Sequence, residues 1–147
     1  MSAPSSALYV AEPPAVFALR PPMVVDCSAL SAVLFDEPTR DEALARLFGH
    51  RLHAPNLLGH EISSVALKKR RFDWPHELLS QALADYSALD ISLHAVDPLA
   101  QYELAARYEL SAYDAGYLWL AAELKAPLAT FDRRLAEAAQ AHLGSLS

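Results

Sequence analysis

Cysteine is almost absent from this sequence. The single thiol, Cys27, excludes an internal disulfide framework and any metal site built from several cysteines. A chain that makes so little use of disulfides fits the reducing cytoplasm. No apolar run approaches the roughly 18 residues that a membrane-spanning helix requires. The opening MSAPSSALYVAEPPAVFALRPP lacks the early positive charge and long apolar core of a secretory signal. Positive charge is scarce as well. Twelve basic against 18 acidic side chains give a net charge of −6, which argues against a general polyelectrolyte binder of nucleic acid but leaves room for a local basic patch. No internal repeat is visible at a period of about 20–50 residues. What the chain has in quantity is apolar material. Apolar types make up 53% of its 147 residues and charged types 20%, which suits one folded domain and excludes disorder. Alanine and leucine, with 28 and 25 residues, add a helix-forming bias.

Residues 1–22 contain five of the ten prolines and are set apart as an N-terminal extension, leaving 23–147 as the folded domain. MVVDC (23–27) is a short β-branched apolar run between Pro-Pro and a serine, the pattern of a buried strand. SALSAVLFDE (28–37) follows with helical spacing, and a second helix is expected over 39–48, stopped by Gly49. RLHAP (51–55) is a weak strand candidate, followed by Asn56 as N-cap of a helix over 57–70. A helix over 74–89, a strand at ISLHAV (91–96) and helices over 98–109 and 112–125 come next. The strand APLAT (126–130) and a helix over 131–143 close the pattern. Strands alternating with helices predict an α/β fold, a three-layer α/β/α sandwich around a mainly parallel sheet.

In such a sheet ligands bind beyond the carboxyl ends of the strands, and Asp26 and Asp132 stand there. Each also suits helix N-capping, worth about 0.5–2 kcal/mol over alanine. Asp114 begins the apolar stripe Tyr117–Leu118–Ala121 of its helix, although Ser111 and Asp114 also read as a capping box. Glu61 lies mid-helix at the margin of the Leu58–Ile62–Val65–Ala66–Lys69 face, where a solvated glutamate is the ordinary alternative. Four converging carboxylates would repel one another and call for a hard cation, with oxygen-only ligation suiting Mg²⁺ or Mn²⁺. Spacing alone does not show that they converge.

The segments VVDCSALSAVLFDE, LLGHEISSVALKK and LSAYDAGYLWLAAELKAPLATFDRRL occur in this order. Together they resemble the PIN-domain ribonucleases, specifically the VapC-type toxins of type II toxin–antitoxin pairs, over residues 23–142. The resemblance implies a PIN-like fold and an acidic quartet of Asp26, Glu61, Asp114 and Asp132. Asp26 and Asp114 would be the principal metal ligands, with Glu61 and Asp132 acting directly or through water. Ser28 matches the hydroxyl of the D-x-S motif and Thr130 that of T-x-D, either of which would orient a water or a carboxylate. The implied activity is Mg²⁺-dependent endoribonuclease cleavage, with Mn²⁺ as a substitute, leaving a 5′-phosphate and a 3′-hydroxyl. The implied partners are an RNA substrate, a cognate antitoxin and a second copy in a homodimer. Cys27 beside the first ligand and the proline-rich extension depart from the family pattern; the thiol is expected to be a small buried side chain.

An acidic enzyme must still hold a polyanion. Arg133 and Arg134 follow Asp132 directly, and Lys68 and Lys69 open a basic run with Arg70 and Arg71 at the end of the Glu61 helix. The same run also complements a helix dipole. Trp74 and Tyr113 are stacking candidates or packing residues. The six histidines, at 50, 53, 60, 76, 94 and 142, form no ligand-like pair and are expected on the surface or in loops. Two other readings compete. A phosphoacceptor receiver domain would want adjacent acidic residues after the first strand and a lysine after the last, and neither is present. A non-catalytic PIN-like interaction module, or another small Mg²⁺-binding α/β domain, would not need all four acids.

Overall fold

The structure, a computed structural model, describes Tyr9 and residues 20–146. The proline-rich extension therefore lies mostly outside the described residues. The strand expected from Met23 begins one residue earlier, at Pro22.

Four short strands form one parallel sheet: β1 (Pro22–Val25), β2 (Arg51–Pro55), β3 (Ile91–His94) and β4 (Leu128–Ala129). Their spatial order is β3-β2-β1-β4. Seven helices are seen among the described residues: α1 (Cys27–Leu34), α2 (Arg40–Leu47), α3 (Leu58–Arg71), α4 (His76–Ala88), α5 (Pro98–Tyr108), α6 (Ala112–Leu124) and α7 (Arg133–Gly144). Helices α1 to α4 pack on one another as one layer, and α5 to α7 form the other. The α/β/α sandwich expected from the alternating pattern is what the chain forms. None of these helices is long and apolar enough to cross a membrane.

The sheet is held by β1, whose Val24 and Val25 are fully buried. Against it lies α6, apolar around most of its circumference, with Ala115 to Leu118, Leu120 and Ala121 all buried. Such a helix is stable only between two layers. Gly116 allows the close approach of α5: a Cβ there would sit 3.2 Å from Gln101 Nε2. Gly49, with φ +80, makes the turn that ends α2 in a conformation other residues rarely adopt.

Several local expectations are corrected. The first strand stops at Val25, because Asp26 turns out of the sheet to cap α1. Asn56 is not the cap of α3. Its N–H donates to His94 O at 2.9 Å, which extends the β2–β3 ladder, and Leu57 takes the N-cap position without a side-chain bond. The last strand shrinks from five residues to two, since among the described residues β4 is a sheet edge that pairs with β1 alone, and its chain then turns toward Asp132. The third strand ends at His94 rather than Val96. His53 and His94 are not surface or loop residues. They lie half-buried on β2 and β3, with Nδ1 of His53 and Nε2 of His94 2.9 Å apart. His142 is half-buried too, its Nδ1 3.0 Å from the Tyr108 hydroxyl.

Candidate active site at the strand ends

Going outward from β3, the chain order runs back to β1 and then jumps to β4. This reversal opens a crevice between the carboxyl ends of β1 and β4, the place where parallel sheets bind ligands. Asp26 ends β1 there and is 4% exposed. Its Oδ1 accepts from Ser28 Oγ at 2.7 Å and from the Ala29 N–H at 2.9 Å. Its Oδ2 accepts from Thr130 Oγ1 at 2.5 Å. Capping and membership of the site are thus one geometry, because the capping bond uses one oxygen and leaves the other facing β4.

Thr130 and Ser28 tie the two strand ends together. Thr130 Oγ1 accepts from the Asp132 N–H at 2.9 Å while it donates to Asp26. Ser28 Oγ accepts from the Phe131 N–H at 2.8 Å while it donates to Asp26. Asp132 in turn caps α7, its Oδ1 accepting from the Leu135 N–H at 3.0 Å. At the start of α6 the Ser111 hydroxyl accepts from the Asp114 N–H at 3.1 Å, which is the expected serine cap. Glu61, one turn into α3, accepts from the Tyr117 hydroxyl at 2.8 Å.

Three of the four acids have raised carboxyl pKa values, and burial is the first cause in each. Burial raises the Asp26 carboxyl above its ordinary value, with Asp114 adding repulsion against three opposing hydrogen bonds. Burial likewise raises Glu61, and the charges of Asp114 and Asp26 push in the same direction. Asp114 is raised by burial first and by Asp132 second, while the Ser111 bond and Arg134 oppose the shift. Carboxylates that raise one another's pKa lack sufficient counter-charge. Their donors are all oxygen, which suits a hard divalent cation. Among the described residues, no group of three or more His, Cys, Asp or Glu side chains stands close enough together to hold a metal ion, so the four acids do not close into one ligand set. Mg²⁺ does not require one, since it is commonly held by one or two carboxylates with retained waters. Cys27 is half-buried rather than fully buried, and burial pushes its thiol up to about 11, so it stays protonated beside the acids.

A profile of the PIN domain family matches residues 23–141. The chain belongs to the PIN-domain family. VapC ribonuclease Mb0985 of Mycobacterium bovis and ribonuclease VapC9 of Mycobacterium tuberculosis are each 33% identical to this PIN domain over 120 residues, covering 81% of this chain and 92% of theirs. These similarities place the chain among the VapC-type members. Ribonuclease VapC3 of Pyrobaculum aerophilum is 28% identical over 121 residues, 78% of this chain and 92% of its own. The crystal structure of PAE2754 from Pyrobaculum aerophilum matches with a TM-score of 0.65 at 22% identity, over 86% of this chain and 96% of that one, a likeness of fold.

Among the described residues, the candidate RNA-binding cations differ in what they are tied to. Lys69 is committed: it pairs with Glu37 at 3.5 Å and lies 4.4 Å above the Trp74 ring, which fixes Trp74 as a packing residue. Arg134 donates to the Glu109 carbonyl and so braces the α5–α6 turn. Arg133 is exposed and, among the described residues, pairs with Glu137 alone, at 3.1 Å. Lys68 is exposed on α3, seven residues beyond Glu61 and thus about 10 Å along the same side of the helix. Sequence reasoning missed two residues. Tyr117 was visible only as part of an apolar stripe, yet a buried tyrosine needs a hydrogen-bond partner, and that requirement was the available signal. Arg46 of α2 lines a cleft with Thr130 and Phe131, a juxtaposition that no local pattern carries.

Proposed function

We propose that this PIN domain is a Mg²⁺-dependent endoribonuclease of a toxin–antitoxin pair, with Mn²⁺ able to replace Mg²⁺. The observation that carries the reading is the hydrogen-bonded junction of Asp26, Ser28, Thr130 and the Asp132 N–H at the β1–β4 crevice, in a chain 33% identical to VapC ribonucleases. Asp26 and Asp114 would be the principal holders of the ion, with Glu61 and Asp132 contributing directly or through water. When bound, such an ion lowers the pKa of a water and stabilises charge on phosphate oxygens.

The chain's own part is orientation. Ser28, Thr130 and the Ala29 N–H fix both oxygens of Asp26, so that its carboxylate does not have to reorganise. Tyr117 does the same for Glu61. Burial raises the Tyr117 hydroxyl far above its usual range, so it remains a donor. Ser28 and Thr130 are positioning residues, acting through Asp26. Arg134, whose charge acts on Asp114, together with Arg133, Lys68 and Arg46, would supply the positive charge that a phosphate backbone needs. An antitoxin, the partner expected of a VapC-type toxin, would block this same crevice.

Incubation of the purified protein with a structured RNA tests the reading. With Mg²⁺, the expected products carry a 5′-phosphate and a ligatable 3′-hydroxyl; EDTA or Asp114→Asn stops their formation. Cyclic-phosphate ends, or equal cleavage in EDTA, would refute the metal-dependent reading.

A further inference from the structure

A second concavity, of about 190 Å³, opens beside the acidic site and shares Glu61 with it. It is lined by Pro55 at the end of β2 and Asn56 after it, by His94 and Gln101, and by Tyr113 and Gly116 of α6. Its size lies below the roughly 300–1,000 Å³ of a drug-sized pocket, and suits a single small ring system. No lysine or arginine lines it, and Glu61 brings negative charge to one end, so it is unfavourable for a phosphate.

Its polar groups are those that read a neutral heterocycle. The exposed Asn56 side chain makes no hydrogen bond to a described residue, leaving a donor and an acceptor side by side. Gln101 is fixed in place, its Nε2 donating to the Ala112 carbonyl at 2.6 Å. Nε2 of His94 is engaged by His53, which leaves Nδ1. Tyr113, 56% exposed, presents an aromatic ring at the rim. Gly116 keeps the floor clear, since a Cβ there would lie 3.2 Å from Gln101 and 3.7 Å from Val96.

We propose that this cleft is a subsite for one nucleobase adjoining the scissile phosphate, with Asn56 reading its hydrogen-bonding edge and Tyr113 stacking on its face. The inference rests on the ribonuclease reading above and adds a source of sequence preference to it. Side-chain amides pair with base edges through two parallel hydrogen bonds, and aromatic rings stack on any base. An aliphatic side chain from a protein partner would use neither the Asn56 amide nor the remaining oxygen of Gln101.

The test maps cleavage sites in a randomised RNA pool with Mg²⁺ and measures binding of short oligonucleotides in EDTA. The wild type should prefer one base at a position next to the cut, and Asn56→Ala should reduce that preference about tenfold or more. Tyr113→Ala should weaken oligonucleotide binding about tenfold whatever the sequence, and Tyr113→Phe should restore it. Because Asn56 and Tyr113 are exposed, circular dichroism should show all variants folded. Cleavage by the wild type with a preference that Asn56→Ala leaves intact would overturn the subsite while leaving the ribonuclease reading standing. A variant that keeps its preference but escapes inhibition by the cognate antitoxin would mark the cleft as a protein-docking surface, again overturning it. A wild type that cleaves no RNA would remove both.

Discussion

Thr130 holds two acids of the site with one hydroxyl, donating to Asp26 and accepting from the Asp132 N–H. Tyr117 does comparable work from the core: its ring is 1% exposed, yet its hydroxyl holds Glu61. Tyr117→Phe removes that bond without emptying the space the ring fills. Losing a bond that lowers the Glu61 pKa drives the carboxyl further up, so the site binds a cation less readily at a given pH. The variant should fold, need more Mg²⁺ for half-maximal cleavage, and lose roughly 10–100-fold of its activity at low Mg²⁺. A metal titration of the cleavage rate checks this; an unchanged Mg²⁺ requirement would reduce Tyr117 to packing. At this scale the aspartates were legible because strand ends and cap positions are local features. Tyr117 was not, because its partner lies 56 residues away in sequence and periodicity records only that it faces inward.

Helix α6 is the element on which the site turns. Its apolar stripe and its Ser111 start were readable from spacing alone, and they place Asp114 in the first turn. Strand β4 was readable as a β-prone segment but not in extent, since its length depends on what β1 pairs with across the sheet. The β2–α3 junction departs from its expected form for a related reason: Asn56 has the chemistry of a cap, but its N–H bond to His94 O extends the β2–β3 ladder through it, and α3 starts one residue later with Leu57 as N-cap. Ser111→Ala tests the coupling between helix and site. Removing the cap should cost about 1 kcal/mol, within a range of about 0.5–2. For a domain of this size that lowers Tm by roughly 2–4 °C. Because the Ser111 bond also opposes the rise in the Asp114 pKa, the variant should lose metal affinity as well as stability. A Tm loss with unchanged metal affinity would separate the two roles.

On the scale of the whole molecule, the strand order β3-β2-β1-β4 puts the reversal of the sheet where its acids stand. The alternating pattern disclosed the sandwich but not this order, which comes from pairings between distant segments. The consequence is a set of carboxyls that burial first, and neighbouring acids second, push away from ionisation. Asp26, Glu61 and Asp114 all have pKa values raised above their ordinary 3.8, 4.5 and 3.8. Folding therefore favours their protonated forms. Their contribution to stability is full below the ordinary values and is lost as pH rises through the raised ones. A divalent cation bound only by the folded protein, as proposed, would reverse that loss, and more strongly as the acids deprotonate. Melting curves of the wild type and Asp114→Asn across this pH range, each with EDTA and with Mn²⁺, therefore test the central claim directly. In EDTA the wild type should lose Tm relative to Asp114→Asn as pH rises; Mn²⁺ should raise the wild-type Tm increasingly with pH and the variant much less. Identical wild-type curves with and without millimolar Mn²⁺, and a constant difference between the two proteins, would contradict it.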